Sequence, residues 1–477
     1  MNGRRPSGEA NQHVRLNINT AWLESVQDRA RESLHRKPPT GPTIFRVPPT
    51  LRRGNELAYE PKLVSIGPYH HDKEDLKAME GLKWRLLHHY LSKVPNGGKN
   101  EGLTKIKDLE NRARDCYSEV IDMGSDQFVE MLLLDGCFLV QILNKDLQAE
   151  ELSSLVHGNW WFDFNIFVDL MLLENQLPYF IVQHLLETLG MPGWDSSRLL
   201  NAVIYRFYQF GSLCREDRDP ELPAEGFDVD HLLHLFHRWI RGFPRSDVSS
   251  TTSDSNGSRT TYSALSLIID RTRACLSKVL PCRSNSSLSG RSPGALRPIT
   301  RLAEAGVKIE VKSASSFLDI TFCEDQGVLK IPAISVDGTT NSFFANLIAL
   351  EQCSWRHGMD VTEYTVFMDG IIDTSRDVEL LHREGIIQPY TVDDADIASL
   401  FNKLSRHAVF SPGRSYLADV CEGLNTYCES RWPRWRAKLV HDYFSNPWTI
   451  ISLVAAVVLL GLTILQSVYA ILDYYKR

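Results

Sequence analysis

The sequence predicts a mainly α fold with a small antiparallel β-hairpin or sheet, an α+β arrangement, completed by one C-terminal transmembrane helix. Three observations carry this expectation. Apolar side chains recur at helical spacing in several long stretches, most broadly at Phe128, Met131, Leu132, Leu134 and Phe138. Between residues 307 and 332 the period shortens to two, and a turn joins two apolar runs. Residues 448–472 then run for 25 positions without a charged side chain.

Residues 1–43 read as a polar, partly disordered segment, in which Trp22, Val26 and Ala30 place one short amphipathic helix within 19–34. Residues 44–445 form the globular body. It opens on a stretch that Pro48 and Pro49 keep extended, and a short strand near 59–66 runs into the turn at Gly67 and Pro68. Helices are expected over 76–91, over 105–143 with a break near 124–126, and over 169–188. In the last of these Pro178 lacks a backbone donor and should kink or break the helix. Asn175 and Gln176, just before it, offer amide donors for the carbonyls so freed.

Further helices are expected over 199–213, 228–242 and 262–279, with flexible Ser-rich segments at 246–261 and 283–294. After Pro298 a short helix precedes a small sheet near 307–332, made of strand 307–312 and a hairpin of 317–322 with 328–332. Helices return over 340–353, 364–372, 375–384 and 393–409, and 415–439 leads toward the apolar run.

That run, taken as a helix rising ~1.5 Å per residue, covers roughly 37 Å and would cross a ~30 Å hydrocarbon core. Trp448 at one end and Tyr474 and Tyr475 past the other suit the aromatic belts. Arg431, Arg434, Arg436 and Lys438 put the positive excess on the N-terminal side. With no apolar signal in 1–19 and only 473–477 after the run, the expectation is a tail-anchored, single-pass membrane protein. Its bulk would face the cytosol, and its partner along 448–472 would be a lipid bilayer.

A net charge of −7 argues against a nucleic-acid partner, which usually meets a basic face. The nine cysteines are scattered and include no CxxC pair, which speaks for reduced thiols rather than a disulfide framework or zinc ribbon. The sequons at Asn256 and Asn285 lie in Ser-rich stretches, where such triplets arise by chance.

Six short stretches occur in order: 65–71 with Gly67, Pro68, Tyr69 and His70; Met79, Glu80 and Lys83; Asp135, Gly136, Cys137 and Phe138; 172–178 with Glu174, Asn175, Gln176 and Pro178; 327–332; and 346–352 with Glu351. Together they resemble a plant family known only as domain of unknown function 247. The likeness runs from about Ile44 to the end of the chain. The resemblance implies a plant-specific, membrane-associated protein with no established enzymatic activity. Some grass relatives are implicated as pollen-side determinants of self-incompatibility, which is a recognition role.

No phosphate-cradling glycine loop, G-x-S-x-G elbow or H-E-x-x-H occurs, so no catalytic, cofactor or metal residue and no small-molecule ligand is assigned. The pairs His70-His71 and His88-His89 read as hydrogen-bonding histidines, because adjacent side chains point apart. His231, His234 and His237 sit three apart on a helix, the first and third about 120° from each other, and converge poorly on a metal. Cys137 lies in an apolar run that would blunt its thiol. Glu174, Asn175 and Gln176, with Glu351 and Gln352, make either a buried polar network specifying the fold or the acid and amides of a cleft. The first is preferred. The functional expectation is a membrane-anchored plant protein without catalytic activity, serving in protein recognition or signalling through unidentified protein partners. The alternative is an enzyme using a polar cleft around Glu174, Asn175 and Gln176.

Overall fold

Helices dominate the described part of the chain. The computed structural model describes residues 22, 24–28, 41–94, 98–143, 154, 159–188, 229–241, 296–314, 316–390, 392–410, 415–429, 455 and 458–466. Residues 41–76 form a strap that is mostly without regular structure; it holds the single turn α1 (Pro49–Arg52) and short 3-10 turns at Glu56–Tyr59 and Glu74–Leu76. The strand expected before Gly67 does not form. The strap's backbone groups there are taken by side chains of the helices that follow.

Those helices are α2 (Lys77–Lys93), α3 (Gly98–Asp108), α4 (Glu110–Asp115), α5 (Ser125–Leu143), α6 (Trp160–Leu170) and α7 (Tyr179–Thr188). The spine is α5. Nearly every side chain from Phe128 to Leu143 is buried, because α2, α3 and α7 pack around it. Gly136 allows the closest of these approaches, since a Cβ there would collide with Leu185 of α7. The helix expected over 169–188 is interrupted. α6 ends at Leu170, turns follow, and α7 begins immediately after Pro178.

The rest comprises α8 (Leu232–Arg241), α9 (Ile299–Glu304), β1 (Lys308–Lys312), β2 (Thr321–Cys323), β3 (Val328–Pro332), β4 (Ile334–Val336), α10 (Thr340–Cys353), α11 (Asp360–Ile371), α12 (Ser375–Arg383), β5 (Ile387–Pro389), α13 (Asp394–Ser405) and α14 (Ala418–Glu429). α10 is the centre of this half, packed against α8, α11, α13 and the 3-10 turn Glu56–Tyr59 of the strap. Thr374 and Asp377 close a capping box on α12, and the Asp377 carboxylate also accepts from the Thr300 N–H and hydroxyl, tying α9 to α12. One apolar cluster joins both halves through Phe138, Ile181, Phe236, Phe344 and Phe401.

Two expectations are corrected. The sheet is mixed rather than antiparallel: its order is β1-β3-β2, with β3 antiparallel to β2 but parallel to β1. Burial explains the order. In β3, Val328, Leu329, Ile331 and Pro332 are all buried, so this strand takes the middle, while β1 and β2 expose more of their length. A second, parallel pair joins β4 to β5.

The transmembrane helix, and with it the tail-anchored single-pass localisation, is also overturned. Among the described residues no helix is long and apolar enough to cross a membrane. Of 448–472, the described residues are 455 and 458–466, and these are helical. Arg431, Arg434, Arg436, Lys438, Trp448, Tyr474 and Tyr475 lie outside the described residues. So do the Ser-rich segments 246–261 and 283–294 and the helices expected over 199–213 and 262–279.

Candidate functional site

The turns at 171–178 and the strap that crosses them leave backbone groups without ladder partners, and buried backbone groups need partners. The polar side chains singled out in the sequence supply them. Asn175 accepts the Ile66 N–H at 2.6 Å and donates to the carbonyls of Val64 at 3.0 Å and Asp169 at 2.9 Å. Gln176 donates to the carbonyls of Leu170 at 2.7 Å and Leu172 at 2.8 Å, at the frayed end of α6. Its side-chain oxygen accepts the Leu233 N–H at 3.1 Å, which fixes the start of α8. Glu174 accepts the Val47 N–H at 2.7 Å and pairs with Arg52 at 2.7 Å and Arg46 at 3.1 Å.

Further along the strap, the Asp169 carboxylate accepts the N–H groups of Lys62, Leu63 and Val64 within 3.0 Å; burial nevertheless pushes this carboxyl up to about 6. Gly67 donates its N–H to Asp135 at 2.8 Å, and Asp135 also pairs with the fully buried Lys83 at 2.6 Å. Burial opposes the Lys83 charge, but the Asp135 and Glu80 carboxylates outweigh it and hold the ammonium above its ordinary value. The Lys83 ammonium also donates to the Ser65 carbonyl at 2.6 Å. At Gly67 φ is +77°, and a Cβ would lie 2.5 Å from the Gln176 carbonyl oxygen, so only glycine fits between strap and turn. After Pro68, the Tyr69 ring sits edge-on to Tyr117 and beneath the Arg46 guanidinium, 4.3 Å away.

The strap and Glu174 enclose an open pocket of about 260 Å³. Arg46, Arg52 and Lys73 bring cations to its wall, Glu60 and Glu174 bring carboxylates, and Val47 and Pro49 bring apolar surface. His70 lines it too. Its side chain is only 2 % exposed, and neither ring nitrogen has a hydrogen-bond partner. Nε2 lies 3.5 Å from Glu174 and Nδ1 3.9 Å from Glu60. Burial, and then the Lys73 charge, push the imidazole down to about 4, so it is neutral near pH 7.

Gly67, His70, Asp135, Glu174, Asn175 and Gln176 thus meet at the crossing of strap and turn. Glu351 does not join them. Its carboxylate accepts from His237 Nε2 at 2.8 Å, the Val361 N–H at 2.9 Å and the Thr362 N–H at 2.7 Å, anchoring the first turn of α11 to α8. Cys137 faces the core of α5, and burial pushes its thiol far up, away from nucleophilic use.

His231, His234 and His237 are buried, and His357 joins them, its ring 4.7 Å from that of His234. Among the described residues no group of three or more His, Cys, Asp or Glu is arranged to hold a metal. Arg46, Arg52, Glu60, Lys73 and His357 escaped the sequence reading, because isolated charged residues in a polar strap carry no periodic signal. Asp169 and Asn346 had one: each is a polar residue inside an apolar helical run. Asn346 accepts the Leu173 N–H and donates to the Ala58 carbonyl, both at 2.8 Å.

A family model described as "Plant protein of unknown function" matches residues 44–462. The UPF0481 protein At3g47200 of Arabidopsis thaliana is 29% identical over 448 residues, covering 90% of this chain and 86% of that protein. The putative UPF0481 protein At3g02645, also of Arabidopsis thaliana, is 25% identical over 521 aligned positions, covering 96% of each. No solved structure matches this chain. With the family model spanning most of the body, strap, turns and pocket included, the chain belongs to the DUF247 family of plant proteins of unknown function.

Proposed function

We propose that this protein acts by recognition, as a protein-interaction module, rather than by catalysis. The fate of the polar island carries the reading. Both oxygens of Glu174, and the amides of Asn175 and Gln176, are spent on backbone groups and arginines that hold the strap. An enzyme cleft built on these residues would turn them toward solvent, but Asn175 and Gln176 are 1 % and 2 % exposed. The pocket wall brings no serine, threonine or cysteine nucleophile. On the surface, Trp355 is 87 % exposed and Trp161 61 %. Large aromatic side chains of this kind are the usual anchors of protein interfaces.

The test is proximity labelling in plant tissue with the tagged full-length chain, wild type beside Trp355→Ala and Trp161→Ala. A reproducible partner set is expected, with at least one member lost from a variant whose thermal midpoint is unchanged. Absence of any reproducible partner would overturn the reading, as would substrate turnover by the purified chain that disappears in Glu174→Gln.

A further inference from the structure

We propose that the pocket between strap and turn binds a small organic acid, its carboxylate held by Arg46 and Lys73 and hydrogen-bonded by the ring of His70. The inference is independent of the protein-recognition reading, because it concerns a pocket rather than the tryptophan surface.

His70 is the starting point. A side chain with two polar ring atoms is 2 % exposed, lines the pocket, and has no hydrogen-bond partner at either nitrogen. Buried polar groups are nearly always paired, so an unpaired one at a pocket wall points to a ligand. The nearby carboxylates do not meet that need. Nε2 lies 3.5 Å from Glu174 and Nδ1 3.9 Å from Glu60, neither in hydrogen-bonding geometry, while Glu174 accepts from the Val47 N–H, Arg46 and Arg52, and Glu60 from Arg52 and Lys73.

Charge and donor type select the ligand. The wall carries three cations against two carboxylates, with His70 neutral, and Arg46 also pairs with Glu119 at 3.3 Å, so the site suits at most a single negative charge. A dianion such as phosphate would overshoot and would face both carboxylates. Arg46 and Lys73 have side chains 40 % and 42 % exposed, so their N–H groups can reach an incoming oxygen. Arginine and lysine only donate, and a neutral imidazole can donate as well, so the complementary group is an acceptor. A carboxylate is that acceptor. The ring of Tyr69 beneath Arg46 orients its guanidinium, and Val47 and Pro49 offer the ligand's carbon body an apolar wall. A volume of about 260 Å³ lies just below that of drug-sized sites, which favours a small acid over a peptide.

The experiment is calorimetric titration of the purified full-length protein with benzoate and with lactate. Benzamide, inorganic phosphate and a short peptide with a free C-terminal carboxylate serve as comparison probes. Binding of at least one acid is expected, with benzamide and phosphate weaker by roughly tenfold or more. Lys73→Met and His70→Phe should each weaken the acid by about tenfold. Lys73 sits on the rim, and Arg52 still pairs with Glu60 without it, so that variant keeps its fold whether or not His70→Phe does. The proposal is overturned if neither acid binds at about 10 mM, if phosphate or the peptide binds more tightly than the acids, or if Lys73→Met binds them as the wild type does.

Discussion

Replacing Asn175 with alanine should unfasten the strap. The side chain serves three buried backbone groups: the Ile66 N–H, the Val64 carbonyl and the Asp169 carbonyl. Leaving a buried group unpaired costs about 1–3 kcal/mol. Three such groups, partly relieved by water entering the gap, give a loss of about 3–5 kcal/mol. Asn175→Asp is the sharper test. It keeps the acceptor for Ile66 and the shape of the side chain, but turns the donor into an oxygen facing two carbonyls, so it should cost about as much as alanine. Hydrogen exchange of the full-length chain reads the effect locally. Peptides covering 62–67 should exchange about 10²- to 10³-fold faster in either variant, while α11 keeps its protection. An Asn175→Asp protein whose strap exchanges within about tenfold of the wild type would refute the assignment of that amide as a double donor.

Other outcomes follow from the same contacts. Lys83→Met strands the buried Asp135 and should cost about 3–5 kcal/mol, whereas Lys83→Met with Asp135→Leu should recover much of it; thermal midpoints of the full double-mutant cycle check this, and additive losses would exclude a coupled pair. Gly67→Ala forces a Cβ against the Gln176 carbonyl at positive φ and should lower stability by more than about 1 kcal/mol, measured by the same melts. Acid should loosen α8 from the turn at Trp355–His357. In the fold, burial and then the His234 charge push His231 and His357 down to about 3, against an ordinary 6.5. Below pH 6.5 the unfolded chain therefore binds more protons, and this junction loses stability as pH falls toward 3. Asp169, raised to about 6, acts with the opposite sign at the strap, so exchange should be followed at 231–241, where His357→Asn should flatten the rise.

Much of the helical framework was legible because it depends on neighbours in the chain. α10 spans Thr340–Cys353, the limits its apolar spacing suggests, and Pro178 ends the irregular stretch at the start of α7 because a ring nitrogen cannot donate wherever it sits. Periodicity also marked β1 and β3 but not the order of the strands in the sheet. That β3 takes the middle followed from which strand is covered on both faces, a property of the assembled layers. The apolar run at 448–472 shows the limit of composition. Hydropathy states what a helix could bury if it were long enough, and among the described residues no helix is long and apolar enough to cross a membrane.

The candidate site divides along the same line. That Asn175 and Gln176 would be wanted near a broken helix end was a local inference, made from a proline and the two adjacent amides that precede it by three and two residues. That Glu174 would meet Arg46, 128 positions away, and that His70 would stand unpaired between Glu60 and Glu174, was not. Backbone valence is written residue by residue, so the sequence alone could say which groups would need partners. Which partners arrive depends on how a strap without regular structure is laid across the turn, and only the packing of α5, α6, α7 and α10 beneath it determines that path.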